Sequence, residues 1–252
     1  MTYRNGMKRK GWENEMKKTT VTKMEEKKMK RTTFAQSKKS DRFITLSEGN
    51  KKLIPSKDAK FLIWNLPAIV TCPFATEHCR SLCYALKAER VYPSVKKSRY
   101  EHFELSKSND FVNRMIFTIN AYMNRPSYKN AKKVIVRIHE SGDFYNLKYT
   151  LAWLDIALAF LNNKKIVFMA YTKSVDYFKG LTLPDNMVVR FSLWDDTKLK
   201  DAMIAKIMGL PIYTAVDKFT NETAKEKCPC KDCGKCGKCW EKSIDMIKCE
   251  IH

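Results

Sequence analysis

Five short apolar runs punctuate the chain, at residues 61–64, 134–138, 166–170, 188–193 and 212–216. They are nearly continuous in apolar residues instead of alternating, which is the pattern of strands covered on both faces. Segments with helical spacing separate them. Between Cys83 and Met123 the pattern is helical and is broken once by Pro93. There Ser108 or Asn109 offers an N-cap for a stripe of Phe111, Met115, Ile119 and Tyr122, which reads as core packing. Further helices are expected at 146–161, in a short piece at 174–179, and at 198–208, the last closed by Gly209 and Pro211. Strand, helix, strand repeated in this way predicts an α/β fold with a parallel sheet and right-handed crossovers, either open or curled into a partial (β/α) barrel.

The reactive residues follow the runs. In parallel α/β folds the strand-to-helix loops emerge at the C-terminal ends of the strands, where the chemistry collects. The first run leads into Cys72; the second ends in His139, Glu140, Ser141, Gly142 and Asp143; the third in Tyr171, Thr172, Lys173 and Ser174. The fourth ends in Ser192, Trp194, Asp195 and Asp196, and the fifth in Thr214 and Asp217, shortly before a second group of cysteines. The order therefore predicts both cysteine groups on one face, beside His139, Asp143 and Lys173. Each loop also has a plainer reading. Ser141, Gly142 and Asp143 suit a turn and helix cap, His139 a satisfied core histidine, and Lys173 a solvated amine.

Charge adds a partner class. The formal net charge is +21, and residues 1–60 hold 18 Lys and Arg against 7 Asp and Glu. Such a field attracts nucleic acid first, although a solvated tail that only aids solubility has the same composition. The expected organisation is a flexible basic arm at 1–52, an α/β domain at 53–220 carrying the first cysteine group, and a Cys-rich metal-binding segment at 221–252 packed on the same face. The most apolar helical stretch, 151–161, is too short for a membrane span and contains Asp155. The Lys-dense N-terminus lacks an apolar signal core, so a reducing cytoplasm is expected, with a metal favoured over a disulfide framework.

The cysteine spacing narrows the metal. Cys72, Cys79 and Cys83 form C-x6-C-x3-C, and Cys230, Cys233, Cys236 and Cys239 follow at three-residue steps after Cys228. That step is the one of ferredoxin-type iron–sulfur loops, with zinc and redox thiols as the alternatives. Three thiolates on a four-iron cluster leave one iron open to a substrate, to a cofactor such as S-adenosylmethionine, or to a ligand from the second group. One shared cluster or two separate ones fit equally, and Cys230 and Cys249 are left spare in a three-plus-four count.

The motifs Asn65-Leu66-Pro67-Ala68, Thr71-Cys72-Pro73, Cys79, Cys83-Tyr84-Ala85, Arg137-Ile138-His139, Ser141-Gly142-Asp143-Phe144, Tyr171-Thr172-Lys173-Ser174, Cys228-Pro229, Cys233, Cys236 and Cys239-Trp240 together resemble the phage-encoded gene product 88 domain family. The resemblance covers about residues 53–240 and implies the ligand set Cys72, Cys79, Cys83, Cys228, Cys233, Cys236 and Cys239. The order of parts also looks like the radical S-adenosylmethionine enzymes, in which a small-Gly-acid motif after the second strand holds the cofactor amino group. By that likeness Ser141, Gly142 and Asp143 would bind S-adenosylmethionine, although the cysteine spacing of that superfamily is C-x3-C-x2-C.

Two functional expectations follow. One is an enzyme with a reactive 4Fe-4S cluster on Cys72, Cys79 and Cys83, in which Lys173 or His139 contacts a nucleic-acid substrate. The other is a nucleic-acid-binding protein whose iron–sulfur or zinc site is structural, with Lys225, Lys227, Lys231, Lys235 and Lys238 reaching phosphates.

Overall fold

The computed structural model describes residues 43–216, 227–229 and 231–250. Residues 1–42 of the basic arm, Asp217, Lys225 and Cys230 lie outside the described residues. The compact unit starts at Ile44, so 44–52, which the charge pattern assigns to the arm, packs with the α/β domain: Ile44 and Leu46 are buried.

The elements follow in the order β1 (Ala59–Trp64), α1 (Glu77–Ser81), α2 (Tyr84–Val91), α3 (Pro93–Lys107), α4 (Phe111–Met123), α5 (Pro126–Lys129), β2 (Lys133–Ile138) and α6 (Leu147–Ala159). They continue with β3 (Ile166–Thr172), a 3-10 turn (Val175–Phe178), β4 (Met187–Leu193), α7 (Leu199–Ile207), β5 (Ile212–Val216), α8 (Cys233–Cys236) and β6 (Met246–Glu250). The six strands form one parallel sheet in chain order, open at both edges, so the fold is α/β and not a closed barrel. Single bridges blunt the two edges. Ser47 pairs antiparallel with Ile63 beside β1, and Lys227 pairs parallel with Lys248 beside β6.

Side chains alternate across each strand, so the two faces can be read from the register. Trp64 on one face packs against Phe111 of α4 and Trp153 of α6, and Phe168 of β3 meets Trp153 and Phe160. The predicted stripe Phe111, Met115, Ile119 and Tyr122 is buried there. Pro93 starts α3 where the helical stretch breaks, and Asn146 caps α6 by accepting from Tyr149 N at 2.8 Å.

The opposite face has a different cover. Phe61, Ile135 and Met169 form a cluster there with Leu53 and Trp240, against which Cys233, Cys239, Val167 and Tyr171 pack. Strands laid down in one direction by right-handed crossovers put their helices on one side, and the Cys-rich segment fills the other. It also supplies β6, which the sequence pattern does not announce: Met246–Glu250 carries Lys248 and Glu250 and lacks a continuous apolar run. The second cysteine group, with its own short α8, thus lies across the face free of crossover helices, where strand order alone had predicted it beside the first group at the strand ends.

Arg190 fastens this segment. It is wholly buried on β4, and its guanidinium donates to the carbonyls of Cys239 (2.7 Å), Ile244 (2.7 Å), Glu241 (2.8 Å) and Lys238 (3.0 Å). A buried charge is tolerated only when its donors are engaged. Replacing it as Arg190→Met strands these carbonyls and should lower stability by at least ~3 kcal/mol. Urea denaturation would measure the loss, and limited proteolysis between 238 and 244 should become faster than in the unaltered chain.

Candidate functional site

The first cysteine set sits just past β1, on a loop that the neighbouring strands hold in place. Ile69 takes a positive φ of 66° and its carbonyl accepts from Cys72 N, turning the chain at Cys72. Gly142 reaches this loop with a φ of +86°; a Cβ there would stand 2.6 Å from Thr71 Oγ1 and 2.7 Å from Leu66 Cβ, so glycine is required for the approach. Ser141 Oγ donates to Leu66 O at 2.8 Å, and Leu66 N donates back to Ser141 O at 2.9 Å. A buried ion pair secures the far side. Glu89 Oε1 accepts from Ala68 N at 2.8 Å and from Arg99 Nη1 at 2.9 Å.

Cys79 lies within α1, whose Thr76 cap accepts from Cys79 N, and Cys83 caps α2, its Sγ accepting from Leu86 N at 3.4 Å. Burial pushes the Cys72 thiol up to about 12, and the charges of Asp143, Cys79 and Cys83 add to it. Burial likewise raises Cys79, against the pull of Lys173. The three cysteines are within electrostatic reach of one another.

Asp143 and Lys173 stand beside them. Asp143 is buried, with Oδ1 accepting from Phe144 N (2.7 Å) and the Thr172 hydroxyl (2.6 Å) and Oδ2 from Lys173 N (2.9 Å). Burial raises its carboxyl, and these hydrogen bonds oppose the rise. It ties the β2 loop to the end of β3. The Lys173 ammonium is buried too, donates to Ser192 O at 2.9 Å and lies 5.2 Å from the Trp194 ring. Burial lowers its pKa, while Cys79, Asp196, Asp143 and Asp195 act to keep it charged.

The β4 loop closes the site from the other side. His78 Nδ1 is 2.7 Å from Asp195 Oδ1, His78 N donates to Asp196 Oδ2 at 2.8 Å, and the imidazole meets Trp194 edge-on at 5.1 Å. Asp195 and Asp196 thereby pin α1, and with it Cys79. The ligand atoms of His78, Asp195 and Asp196 lie within 4.8 Å of one another, a grouping that their mutual hydrogen bonds account for.

His139 is held apart from this group. It is buried at a positive φ of 68°, its Nε2 is 2.8 Å from the Tyr149 hydroxyl, and its ring packs on Phe144 and Tyr149. Burial and the Arg137 charge lower it to about 3. This is a core surrounding that satisfies only one ring nitrogen, since Nδ1 is buried without a hydrogen-bond partner.

The second set lines a shallow hollow that opens to solvent and is bounded by Cys228, Cys233, Cys236, Cys239, Lys231 and Trp240. Cys228 N donates to Lys248 O at 2.7 Å, joining the hollow to β6. Asp232 caps α8 through Lys235 N, and Gly237 ends it at a φ of +70°. The Tyr171 hydroxyl donates to Cys239 Sγ at 2.8 Å. Burial raises Cys239, opposed by that hydrogen bond and by Arg137 and Arg190, and burial raises Cys233 to about 11. Among the described residues no three cysteine sulfurs lie mutually within 4.8 Å.

The sequence therefore placed Cys72, Cys79, Cys83, Asp143 and Lys173 together, as the structure does, but expected Cys228, Cys233, Cys236 and Cys239 beside them, where the structure puts these four in a separate place. It missed His78, Arg190 and the sixth strand. An arginine inside the apolar run 187–193 was the available signal, since such a residue must find acceptors.

Fold and sites together define a class, an open α/β protein with its crossover helices on one sheet face and two separate cysteine sets. The family model for gene product 88 matches residues 21–242, and the chain belongs to that family. It is 29% identical over 128 residues to the Gene 88 protein of Mycobacterium phage L5, which covers 48% of this chain and 52% of that protein. It is 31% identical over 107 residues to the Gene 88 protein of Mycobacterium phage D29, covering 41% and 42%. The chain thus spans about half the length of these curated relatives. No solved structure matches. No helix among the described residues is long and apolar enough to cross a membrane.

The neutral, desolvated His139 sets a pH dependence. Its folded pKa lies below its ordinary value of 6.5, so its contribution is complete above that value and is lost as pH falls toward 3. The slope should approach ~1.4 kcal/mol per pH unit. Urea midpoints between about pH 7 and pH 4 should fall more steeply for the unaltered protein than for His139→Gln; parallel profiles would contradict the assignment.

Proposed function

We propose that the chain is an iron–sulfur protein with two cluster sites, one on Cys72, Cys79 and Cys83 and one on Cys228, Cys233, Cys236 and Cys239. The observation that carries the reading is the gathering of seven cysteines, more than 150 residues apart at the extremes, into two sets on one sheet. Cys233, Cys236 and Cys239 at three-residue steps, with Cys228 bordering the same hollow, match the step of ferredoxin-type iron–sulfur loops, which supports a cluster over a single zinc.

The two sets have different roles in this reading. A four-iron cluster on three cysteines offers one position to an outside ligand and supplies electron transfer or S-adenosylmethionine chemistry there. Lys173 faces that site with one of its three ammonium donors committed to Ser192 O, which suits it to an anionic group such as a nucleic-acid phosphate. Ser141, Gly142 and Asp143 serve the site by holding the Cys72 loop against β2 and β3. The hydroxyl of Ser141 and both carboxylate oxygens of Asp143 are engaged with protein, so any S-adenosylmethionine amino group must compete with those partners. The second set carries four cysteines and acts as the closed site.

Protein purified without oxygen should be brown, with broad visible absorption and about four iron and four sulfide per cluster. Serine at Cys72, Cys79 and Cys83, or at Cys233, Cys236 and Cys239, should each remove about half of the iron; a colourless chain holding zinc would overturn the reading. Incubation with S-adenosylmethionine and a reductant separates its two forms, 5′-deoxyadenosine marking the catalytic one and its absence leaving electron transfer or structure.

A second reading rests on the charge of +21: the chain binds nucleic acid without acting on it, and its metal sites are structural. Lys231, Lys235 and Lys238 border the second set. Phosphate neutralisation releases counterions, so affinity should fall steeply and log-linearly with salt. A flat salt dependence would sink this reading.

A further inference from the structure

The sheet face free of crossover helices directs three polar side chains at the second cysteine set. Arg137, Tyr171 and Arg190 are neighbours in register, Arg137 opposite Met169 on β3 and Tyr171 opposite Arg190 on β4. Arg190 is spent on backbone carbonyls, as described above. Tyr171 has a different target: its hydroxyl donates to the sulfur of Cys239 at 2.8 Å.

We propose that Tyr171 is a positioning residue for the C-terminal cluster, whose hydrogen bond to Cys239 Sγ raises the potential at which that cluster accepts an electron, with Arg137 holding the ring in line. The inference rests on the iron–sulfur reading of the second set and assigns it a tuned redox function beyond simple ligation.

Three observations support it. The ring is fixed: the Arg137 guanidinium lies 4.0 Å from its centroid, and the Tyr213 ring packs at 4.3 Å. Arg137 is itself anchored, its Nε donating to His139 O at 3.1 Å and its Nη1 to Met169 Sδ at 2.6 Å. The next strand reaches the same residue, since Arg190, opposite Tyr171 in the register, donates from Nε to Cys239 O at 2.7 Å. The first set is supported differently, by a backbone donor from Leu86 N to Cys83 Sγ at 3.4 Å.

The physical effect follows from charge. A cluster held here would take one electron from a low-potential one-electron reductant, such as a viologen mediator, while no protein bond breaks and the Tyr171 hydroxyl keeps its proton. The added negative charge spreads onto the ligand sulfurs, so a donor aimed at one of them binds the reduced form more strongly than the oxidised form. Cluster potentials respond to such hydrogen bonds.

The test is a spectroelectrochemical titration of the full chain, purified without oxygen, beside Tyr171→Phe with iron and sulfide measured in both. The variant should keep its iron and move one wave to lower potential, a change of about tenfold in the reduced-to-oxidised ratio at fixed potential, or about 59 mV for one electron. The wave lost when Cys72, Cys79 and Cys83 are replaced by serine should stay in place. Arg137→Lys retains the charge but not the planar stack and should shift the same wave in the same direction by less. Equal iron with no moved wave overturns the tuning and leaves the cluster reading intact. An unaltered chain that holds no iron after anaerobic reconstitution overturns both. Should Tyr171→Phe lose its iron, Arg137→Lys carries the test, and an iron-loaded variant with an unmoved wave overturns the proposal.

Discussion

A parallel sheet whose strands follow one another in chain order can cover only one of its faces with its own crossover helices. The rest of this structure answers that constraint. The apolar side chains of Phe61, Ile135 and Met169, which the crossover helices do not cover, are buried by a second layer that the chain after β5 supplies before it returns as β6. Arg190 is the fastening. Its burial within β4 would be costly alone, but the four carbonyls it reaches belong to the crossing segment and draw it onto the sheet. One segment therefore covers the core, completes the sheet and carries six of the nine cysteines.

The first cysteine set depends on a different device, the stitching of three loops at the strand ends. Gly142 permits contact between the β1 and β2 loops, Asp143 joins the β2 loop to β3, and His78 joins α1 to the β4 loop. Polar groups that look like ligands in the sequence are largely consumed in this work. The thiols of Cys72, Cys79 and Cys83 and the ammonium of Lys173 are what the stitched loops present.

Much of the architecture was legible because burial on both faces leaves a plain mark. The five continuous runs became β1 to β5 with ends displaced by a residue or two, and the Phe111 to Tyr122 stripe became core. Met246–Glu250 was not legible. It pairs at the edge of the sheet, where Lys248 and Glu250 remain compatible with a strand and erase the apolar signature. The roles of His139 and Ser141 were also ambiguous, because a histidine or serine after a strand has the same letter whether it caps, packs or binds. Distances to Tyr149 and Leu66 decide between those uses.

By itself the sequence determined the α/β class, the parallel sheet, the membership of the gene product 88 family and the residue types able to hold a metal, since each is written in local spacing. Only the tertiary structure decided that the two cysteine sets occupy different places, one at the strand ends and one across the face free of crossover helices. It also decided that Tyr171, Arg137 and Arg190 converge on Cys239. The reason is geometric. Strand order says where loops emerge, but the face that a returning segment crosses is set by which apolar surface remains uncovered, and that is known only when the whole sheet is assembled.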